Sequence, residues 1–231
     1  MASDHAGLMD GVYRHQRHVY DLTRKYYLFG RDRLIRELDL APGERVVEIG
    51  CGTARNLIRI ARRYPDALLF GLDASQEMLK TARRAIARAG LTARIKLAHG
   101  YAEDLSPGMF GERLPFDRVV FSYSLSMIPD WKQALSAAGR TLSQRGRVHI
   151  VDFSDLAGLG PLGARILLGW LAIFHVKPRA ELVAQVGALA QKNARNHGGN
   201  PLLRMLPARY AFIVNCSAED VAELVLSDVA A

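Results

Sequence analysis

The chain has little of what a disulfide-built, metal-built or membrane-spanning protein requires. Cysteine occurs only at Cys51 and Cys216 in 231 residues, which gives no disulfide framework and no metal-ligand spacing. No metal is expected, and a reducing cytoplasm is the natural compartment. No run reaches the roughly 18 apolar residues of a membrane span. Residues 1–10 are polar and lack the apolar core of a signal peptide. Negative charge is in deficit, with 23 Asp and Glu against 31 Lys and Arg, a net charge of +8 and a pI near 9.8. That balance suits an anionic partner, a nucleic acid or the negative surface of a membrane, and does not choose between them. The length fits one α/β domain, or one with a cap, around a substantial core. There is no internal repeat or low-complexity segment.

The most informative stretch is Val46-Val47-Glu48-Ile49-Gly50-Cys51-Gly52-Thr53-Ala54-Arg55-Asn56. A β-branched run ends in a Gly-x-Gly turn and passes at once into a helical pattern, the arrangement that seats a nucleotide-type ligand at the carboxyl end of a central strand. A dinucleotide fingerprint needs a third glycine three places after the second, and Arg55 stands there. Glu48 would repel a pyrophosphate but suits a cationic amino-acid ligand. Asp73 follows the next apolar run, where an acid can accept both hydroxyls of a ribose. The alternative is an ordinary strand-turn-helix with incidental acids.

Along the chain, residues 11–39 read as a long helix or a helix pair. Tyr13, Tyr20 and Tyr27 recur every seven residues, each followed four places later by Arg17, Arg24 or Arg31, so each pair shares a helical face. Such a face suits either a lid over a site or an amphipathic cap with solvated arginines, and Gly30 is a candidate break. Strands are expected from Arg45, at 67–72, 93–99, 116–122 and 147–153. Helices are expected at 56–64, from the Ser75 cap to about Ala89, and at 130–142. Residues 158–163 read as a flexible lead into an apolar helix over 164–176, with Arg165 and Lys177 at its ends. That helix is too short to span a bilayer; it either lies in the membrane interface or is a buried crossover. Residues 193–201 read as a loop, 202–206 and 209–215 as a closing hairpin, and Ser217 as the cap of a last short helix.

The glycine stretch resembles motif I of the class I S-adenosylmethionine-dependent methyltransferases, with Ala54 in place of the family's third glycine. Gly100-Tyr101-Ala102-Glu103-Asp104-Leu105 resembles that family's adenine-edge segment, although Tyr101 stands where an acid is usual. The resemblance implies a Rossmann-like α/β fold, a seven-stranded mostly parallel sheet flanked by helices, with an N-terminal helical cap. The divisions expected are a cap over 1–40, a cofactor-binding core over 41–153, a helical substrate- or membrane-facing insertion over 154–200, and a closing hairpin and helix over 201–231. It implies S-adenosylmethionine as cofactor and S-adenosylhomocysteine as product. Cofactor contacts are expected from Glu48, Gly50, Cys51, Gly52, Thr53, Asn56, Asp73, Ala74, Met78, Tyr101, Ala102, Glu103 and Ser122.

Four further segments resemble the bacterial betaine-lipid methyltransferases, which trimethylate the amino group of diacylglyceryl-homoserine. They are the opening from Leu8 to Asp32, Tyr123-Ser124-Leu125-Ser126-Met127-Ile128-Pro129, His149-Ile150-Val151-Asp152-Phe153, and Phe174-His175-Val176-x-Pro178-Arg179. The likeness covers about residues 8 to 180. It implies a lipid head group as substrate, peripheral association with the anionic inner face of the cytoplasmic membrane, and functional pairing with the enzyme that makes diacylglyceryl-homoserine. Tyr20, Tyr27 and Tyr123 are the expected catalytic residues, orienting the amine and facing the growing methylammonium by cation–π contact. Tyr13, Arg31, Asp152, His175 and Arg179 are the expected substrate residues, the arginines holding the homoserine carboxylate. Nucleic acid is not expected as a partner, because the N-P-P-[YF] sequence of base and amide methyltransferases is missing after Ser122. A phosphatidylethanolamine methyltransferase, another small-molecule or nucleic-acid methyltransferase, and a non-catalytic cofactor-binding protein are the alternatives.

Overall fold

A computed structural model describes residues 28–226 apart from 174, 175, 177 and 198–202. Tyr13, Tyr20, Tyr27 and His175, with most of the expected N-terminal cap, lie outside the described residues. In chain order the elements are α1 (Arg31–Arg36), β1 (Arg45–Ile49), α2 (Arg55–Arg63), β2 (Leu68–Asp73), α3 (Gln76–Arg88), β3 (Ile95–His99), β4 (Phe116–Ser122), α4 (Trp131–Arg140) and β5 (Leu142–Phe153). There follow α5 (Gly160–Ile173), α6 (Ala180–His197), β6 (Leu203–Met205), β7 (Ala211–Ser217) and α7 (Ala218–Leu226).

Seven strands form one sheet in the order β3-β2-β1-β4-β5-β7-β6. β1 to β5 are parallel, whereas β7 runs antiparallel to both β5 and β6. β1 is flanked by parallel partners and covered on both faces, so Arg45-Val46-Val47-Glu48-Ile49 is buried throughout. Successive side chains point to opposite faces. Val46 joins a core with Leu34, Leu57, Ile60, Leu79 and Leu171 beneath α1, α2, α3 and α5. Val47 joins the other core, with Phe70, Phe121, Leu135, Val186, Phe212 and Leu224 beneath α4, α6 and α7. The strand order reverses between β1 and β4, and in open α/β sheets ligands sit beyond the carboxyl ends at such a switch.

Helix boundaries follow local chemistry. Ser75 Oγ accepts from Met78 N and opens α3, and Gly90 closes the helix at φ 69°. Ser217 and Asp220 make reciprocal bonds, Asp220 N to Ser217 Oγ at 3.1 Å and Ser217 N to Asp220 Oδ2 at 2.8 Å, which start α7. Three expected boundaries are corrected. β5 begins at Leu142, which pairs with Phe116 across a register shift, rather than at Arg147. The expected flexible lead contributes residues 160–163 to α5, because Pro161 sits in the first turn, where its fixed φ suits a helix. α6 runs on through residues 193–197 to His197; these are tolerable helix formers, and the breakers Gly198 and Gly199 come only after them.

His149 lies inside β5, in register with Val120 and Asn215. Burial, with Arg118 and Arg147 nearby, pushes its pKa down to about 3. A folded-state pKa below the unfolded value near 6.5 means stability present above pH 6.5 and lost as pH falls toward 3. At about 1.4 kcal/mol per pH unit, the loss between pH 6.5 and 4.5 is about 3 kcal/mol. His149→Gln is expected to remove that component, so its acid-side loss of stability should be shallower than the wild type's in denaturant titrations run at each pH. Parallel curves would disprove it.

Candidate active site

The carboxyl end of β1 turns sharply into a loop. Gly50 takes φ 70°, and a Cβ placed on it would lie 2.7 Å from Ser124 Cβ, so only glycine lets the β1 and β4 ends approach this closely. Gly50 N and Cys51 N both donate to Leu72 O, at 2.8 and 3.1 Å. Ala54, where the motif has its third glycine, takes φ 63° and precedes the first residue of α2. The methyl side chain is therefore held in a backbone region that glycine would occupy without strain.

Two acids brace this loop. Asp73 Oδ2 accepts from Gly52 N at 2.7 Å and its Oδ1 accepts from Ser75 N at 2.8 Å, joining the glycine turn to the start of α3. Glu48 Oε1 accepts from Asn56 Nδ2 at 2.7 Å. A cavity of about 300 Å³ opens beside them, lined by Leu28, Arg31, Glu48, Gly50, Cys51, Gly52, Thr53, Arg55, Asn56 and Ser122. The Ser122 hydroxyl is buried there with no hydrogen-bond partner among the described residues. Burial, together with Asp73 and Glu48, raises the Cys51 thiol well above its usual range. It stays protonated and serves as a small apolar wall rather than as a nucleophile.

Beyond the ends of β2 and β3 lie the remaining expected cofactor residues. Gly100 N donates to Asp73 O at 3.1 Å, and His99 Nε2 lies 3.0 Å from Ala74 O. Met78 is buried in the first turn of α3. A single 3₁₀ turn, Ala102–Asp104, follows Tyr101 and buries Ala102 while leaving Tyr101 and Glu103 partly exposed.

Three expected acceptor-side residues have other work. Tyr123 is buried at φ 57°, its hydroxyl donates to Phe29 O at 2.6 Å, and its ring meets Phe153 edge-on at 4.7 Å. Burial holds this phenol protonated. Its hydroxyl is committed to the backbone and its ring to the core, so Tyr123 is a brace and not a catalytic group. Asp152 accepts from Ser126 N at 3.0 Å and from Phe153 N at 2.8 Å, and burial raises its pKa to about 6. Arg179 donates from Nε to Leu125 O at 3.2 Å and from Nη2 to Ile128 O at 2.6 Å. Burial lowers the arginine's pKa, against the pull of Asp152 and Glu181. Both were expected on substrate, but they hold the turn after β4, Asp152 by the Ser126 amide and Arg179 by the Leu125 and Ile128 carbonyls.

Residues 46–146 match the family model described as a methyltransferase domain. With the strand order 3-2-1-4-5-7-6, the reversed β7 and the glycine turn, that match decides the assignment. Residues 46–146 form a class I S-adenosylmethionine-dependent methyltransferase domain. Among curated relatives, the ubiquinone/menaquinone biosynthesis C-methyltransferase UbiE of Geotalea daltonii is 28% identical over 141 residues, 58% of each chain. The demethylmenaquinone methyltransferase of Corynebacterium glutamicum is 32% identical over 162 residues, 65% of this chain and 60% of that one. The chain thus spans about three fifths of the length of these relatives. Among solved structures, the S-adenosylmethionine-dependent methyltransferase SibL superposes with a TM-score of 0.61 at 22% identity, over 86% of this chain and 57% of its own. The YcgJ protein of Bacillus subtilis gives 0.54 at 16%, over 80% and 94%.

The residues present fit S-adenosylmethionine. Glu48 offers a carboxylate to an ammonium, Gly52 and Thr53 bring bare backbone to the cavity wall, and the buried Ser122 hydroxyl is available to a ligand. Asp73, at the end of β2, braces the glycine turn through Gly52 N and Ser75 N, the place where an acid can meet ribose hydroxyls. Seven of the expected cofactor residues line the cavity, together with Arg31 from the expected substrate set. Sequence reasoning missed Leu28 and Arg55. Arg55 had a signal, since it occupies the place of a dinucleotide glycine and opens α2. Leu28 had none.

Proposed function

We propose that the chain is an S-adenosylmethionine-dependent N-methyltransferase that methylates the amino group of a lipid head group, with diacylglyceryl-homoserine carried to the betaine lipid as the acceptor. The observation that carries this reading is convergence. Four segments far apart in sequence resemble the betaine-lipid enzymes, and they meet at the turn after β4: Phe29 takes the Tyr123 hydroxyl, Asp152 takes the Ser126 amide, and Arg179 reaches Leu125 and Ile128. Such a meeting is what a shared acceptor site would require of otherwise separate segments.

When bound, S-adenosylmethionine supplies an electrophilic methyl on a sulfonium and leaves as S-adenosylhomocysteine. A neutral acceptor amine would meet that methyl on the side opposite the sulfur, the new C–N bond replacing the C–S bond, and would pass a proton to solvent before each next round. This chemistry asks the protein for alignment and exclusion of water rather than for a strong base. Glu48, tied to Asn56, suits the role of an anionic anchor for the methionyl ammonium. A quinol carbon acceptor, the substrate class in the relatives' names, would need its phenolic proton drawn off to become nucleophilic.

Arg31 is buried, lines the cavity and donates from Nε to Leu28 O at 3.2 Å. In this reading its guanidinium holds the homoserine carboxylate. Arg31→Gln is expected to raise KM for diacylglyceryl-homoserine about 10- to 100-fold, the equivalent of one charge-assisted contact, while S-adenosylhomocysteine affinity holds. Affinity lost for S-adenosylhomocysteine instead would assign Arg31 to the methionyl carboxylate.

The deciding experiment supplies radiolabelled S-adenosylmethionine with diacylglyceryl-homoserine, phosphatidylethanolamine or demethylmenaquinone in separate reactions. Label in trimethylated betaine lipid is the expected result. Label confined to phosphatidylcholine or to menaquinone would replace the acceptor, and no label in any of them would overturn the lipid reading.

A further inference from the structure

α5 is apolar on both of its faces, and among the described residues only one of them is covered. Leu171 is buried, and Ala164, Leu167 and Trp170 pack with it against the core beneath that side of the sheet. The opposite face presents Leu162 at 71% exposure and Ile166 at 66%, with Leu159 just before the helix at 37%, and Leu168 at the flank of the covered face is 41% exposed. Leu159, Leu162 and Ile166 follow one another at three- and four-residue steps, which places them along one stripe. A helix apolar all round is ordinarily buried, and a contiguous exposed apolar stripe marks an interaction surface.

The charge on this element has one sign. From Gly160 to Ile173 the only ionisable side chain is Arg165, which is exposed, and the helix carries no carboxylate. Asp155, the nearest acid before it, is paired with Arg209. Among the described residues no helix is long and apolar enough to cross a membrane. An apolar stripe with a lone arginine and no acid suits a helix lying in the plane of an anionic bilayer surface.

A chain of contacts connects this stripe to the cavity. The 3₁₀ turn Ala157–Leu159 leads into α5 and packs on the 3₁₀ turn Pro207–Arg209. A Cβ on Gly158 would lie 2.5 Å from the Ala208 carbonyl carbon, so the two turns touch backbone to backbone. Leu156 N also donates to Arg209 O at 3.1 Å. Tyr210, next in the chain, meets the ring of Phe29 edge-on at 5.4 Å. Phe29 is 59% exposed, and its neighbour Leu28 lines the cavity.

We infer that the exposed face of α5, led by Leu162 and Ile166 with Arg165 beside them, docks the enzyme on an anionic lipid bilayer and presents the Leu28–Phe29 edge of its cavity to head groups there. The inference rests on the lipid acceptor proposed above and adds to it the surface that meets the membrane. Extraction of an acyl lipid by an enzyme free in water would expose its chains, whereas a docked enzyme need lift only the head group.

The test is flotation of the full chain with vesicles of phosphatidylcholine alone or containing phosphatidylglycerol, neither carrying acceptor. Wild type is expected to float with the anionic vesicles and to retain part of that binding at high salt. Leu162→Gln/Ile166→Gln is expected to lower the partition coefficient at least tenfold while leaving circular dichroism and S-adenosylhomocysteine affinity unchanged, since neither residue touches the cavity. Methylation of diacylglyceryl-homoserine dispersed in detergent micelles separates the two proposals. Activity retained there by the double variant alongside lost flotation supports docking through α5. Flotation by wild type without methylation of this acceptor in micelles would strike the acceptor and leave the docking surface standing. Failure of wild type to float, or equal flotation by the double variant, overturns the docking surface. So does a wild-type dimer in vesicle-free solution that the two substitutions convert to monomer, because a second copy would then cover the stripe.

Discussion

Asp73→Ala is expected to weaken S-adenosylhomocysteine binding at least about 100-fold, close to 3 kcal/mol, with the largest effect of any single change at the cofactor end. The carboxylate has two tasks that fail together. It accepts from Gly52 N and Ser75 N, and hydrogen bonds to a charged acceptor are each worth about 1.5–3 kcal/mol. Without it the glycine turn loses its tether to α3, and the ribose loses its acceptor. Asp73→Asn should be milder, about tenfold, because one carbonyl oxygen remains while the new NH₂ group faces an N–H that was an acceptor's partner. Calorimetric titration of the full chain with S-adenosylhomocysteine checks both, with circular dichroism as the control for folding. Equal affinities for wild type and alanine variant would remove Asp73 from the cofactor site.

Much of this end of the molecule is legible in the sequence because its determinants are local. The β1 run, the Gly50 turn and the start of α2 lie within eleven residues, and their pattern names both the fold and the cofactor. Ser75 and Ser217 announce their helices by side chains that cap within three residues. β4 falls at 116–122 as expected because a strand buried on both faces reads as an apolar run. Where the sequence misleads, tertiary partners decide. The lower half of β5 carries Ser143, Gln144 and Arg145, which no strand pattern recommends, yet pairing across the register shift at Phe116 extends it. The lead into α5 looks flexible by its glycines, whereas Gly158 is required by the Ala208 backbone against it.

The acceptor side is less legible for the same reason. Tyr123, Asp152 and Arg179 are residue types that bind substrates, and their segments carry a family likeness, so sequence assigns them to the site by chemistry. Their hydrogen bonds run to backbone groups 94, 26 and 54 or 51 positions away, which no local pattern encodes. In the lipid reading proposed above, these residues act through the backbone of the turn after β4 rather than by touching substrate.

The consequence is a sharp effect on turnover from residues that need not touch substrate. Asp152→Ala leaves Ser126 N and Phe153 N buried without their acceptor, at about 1–3 kcal/mol each, so stability should fall by about 2–5 kcal/mol and kcat by at least tenfold. S-adenosylhomocysteine affinity should change little. Arg179→Ala frees the carbonyls of Leu125 and Ile128 and should lower kcat about tenfold. Arg179→Lys should restore only part of it, because an ammonium cannot reproduce the two-point fork of a guanidinium. A titration distinguishes this positioning role from simple destabilisation. Asp152 has its pKa raised to about 6 from an ordinary value of 3.8, so the folded state binds the proton more tightly than the unfolded one. Its contribution to stability is therefore greatest below pH 4 and declines by about 3 kcal/mol as pH rises through 6. The hydrogen bonding runs the other way, since the ionised carboxylate accepts from both amides and the protonated one must surrender an acceptor position. Turnover should accordingly rise with pH through an inflection near 6 in the wild type, well below the limb set by deprotonation of the substrate amine. In Asp152→Asn, which cannot titrate, that inflection should disappear while the amine limb stays. An unchanged profile in the asparagine variant would show that the turn after β4 keeps its shape without the charge, and Asp152 would revert to a residue of the core.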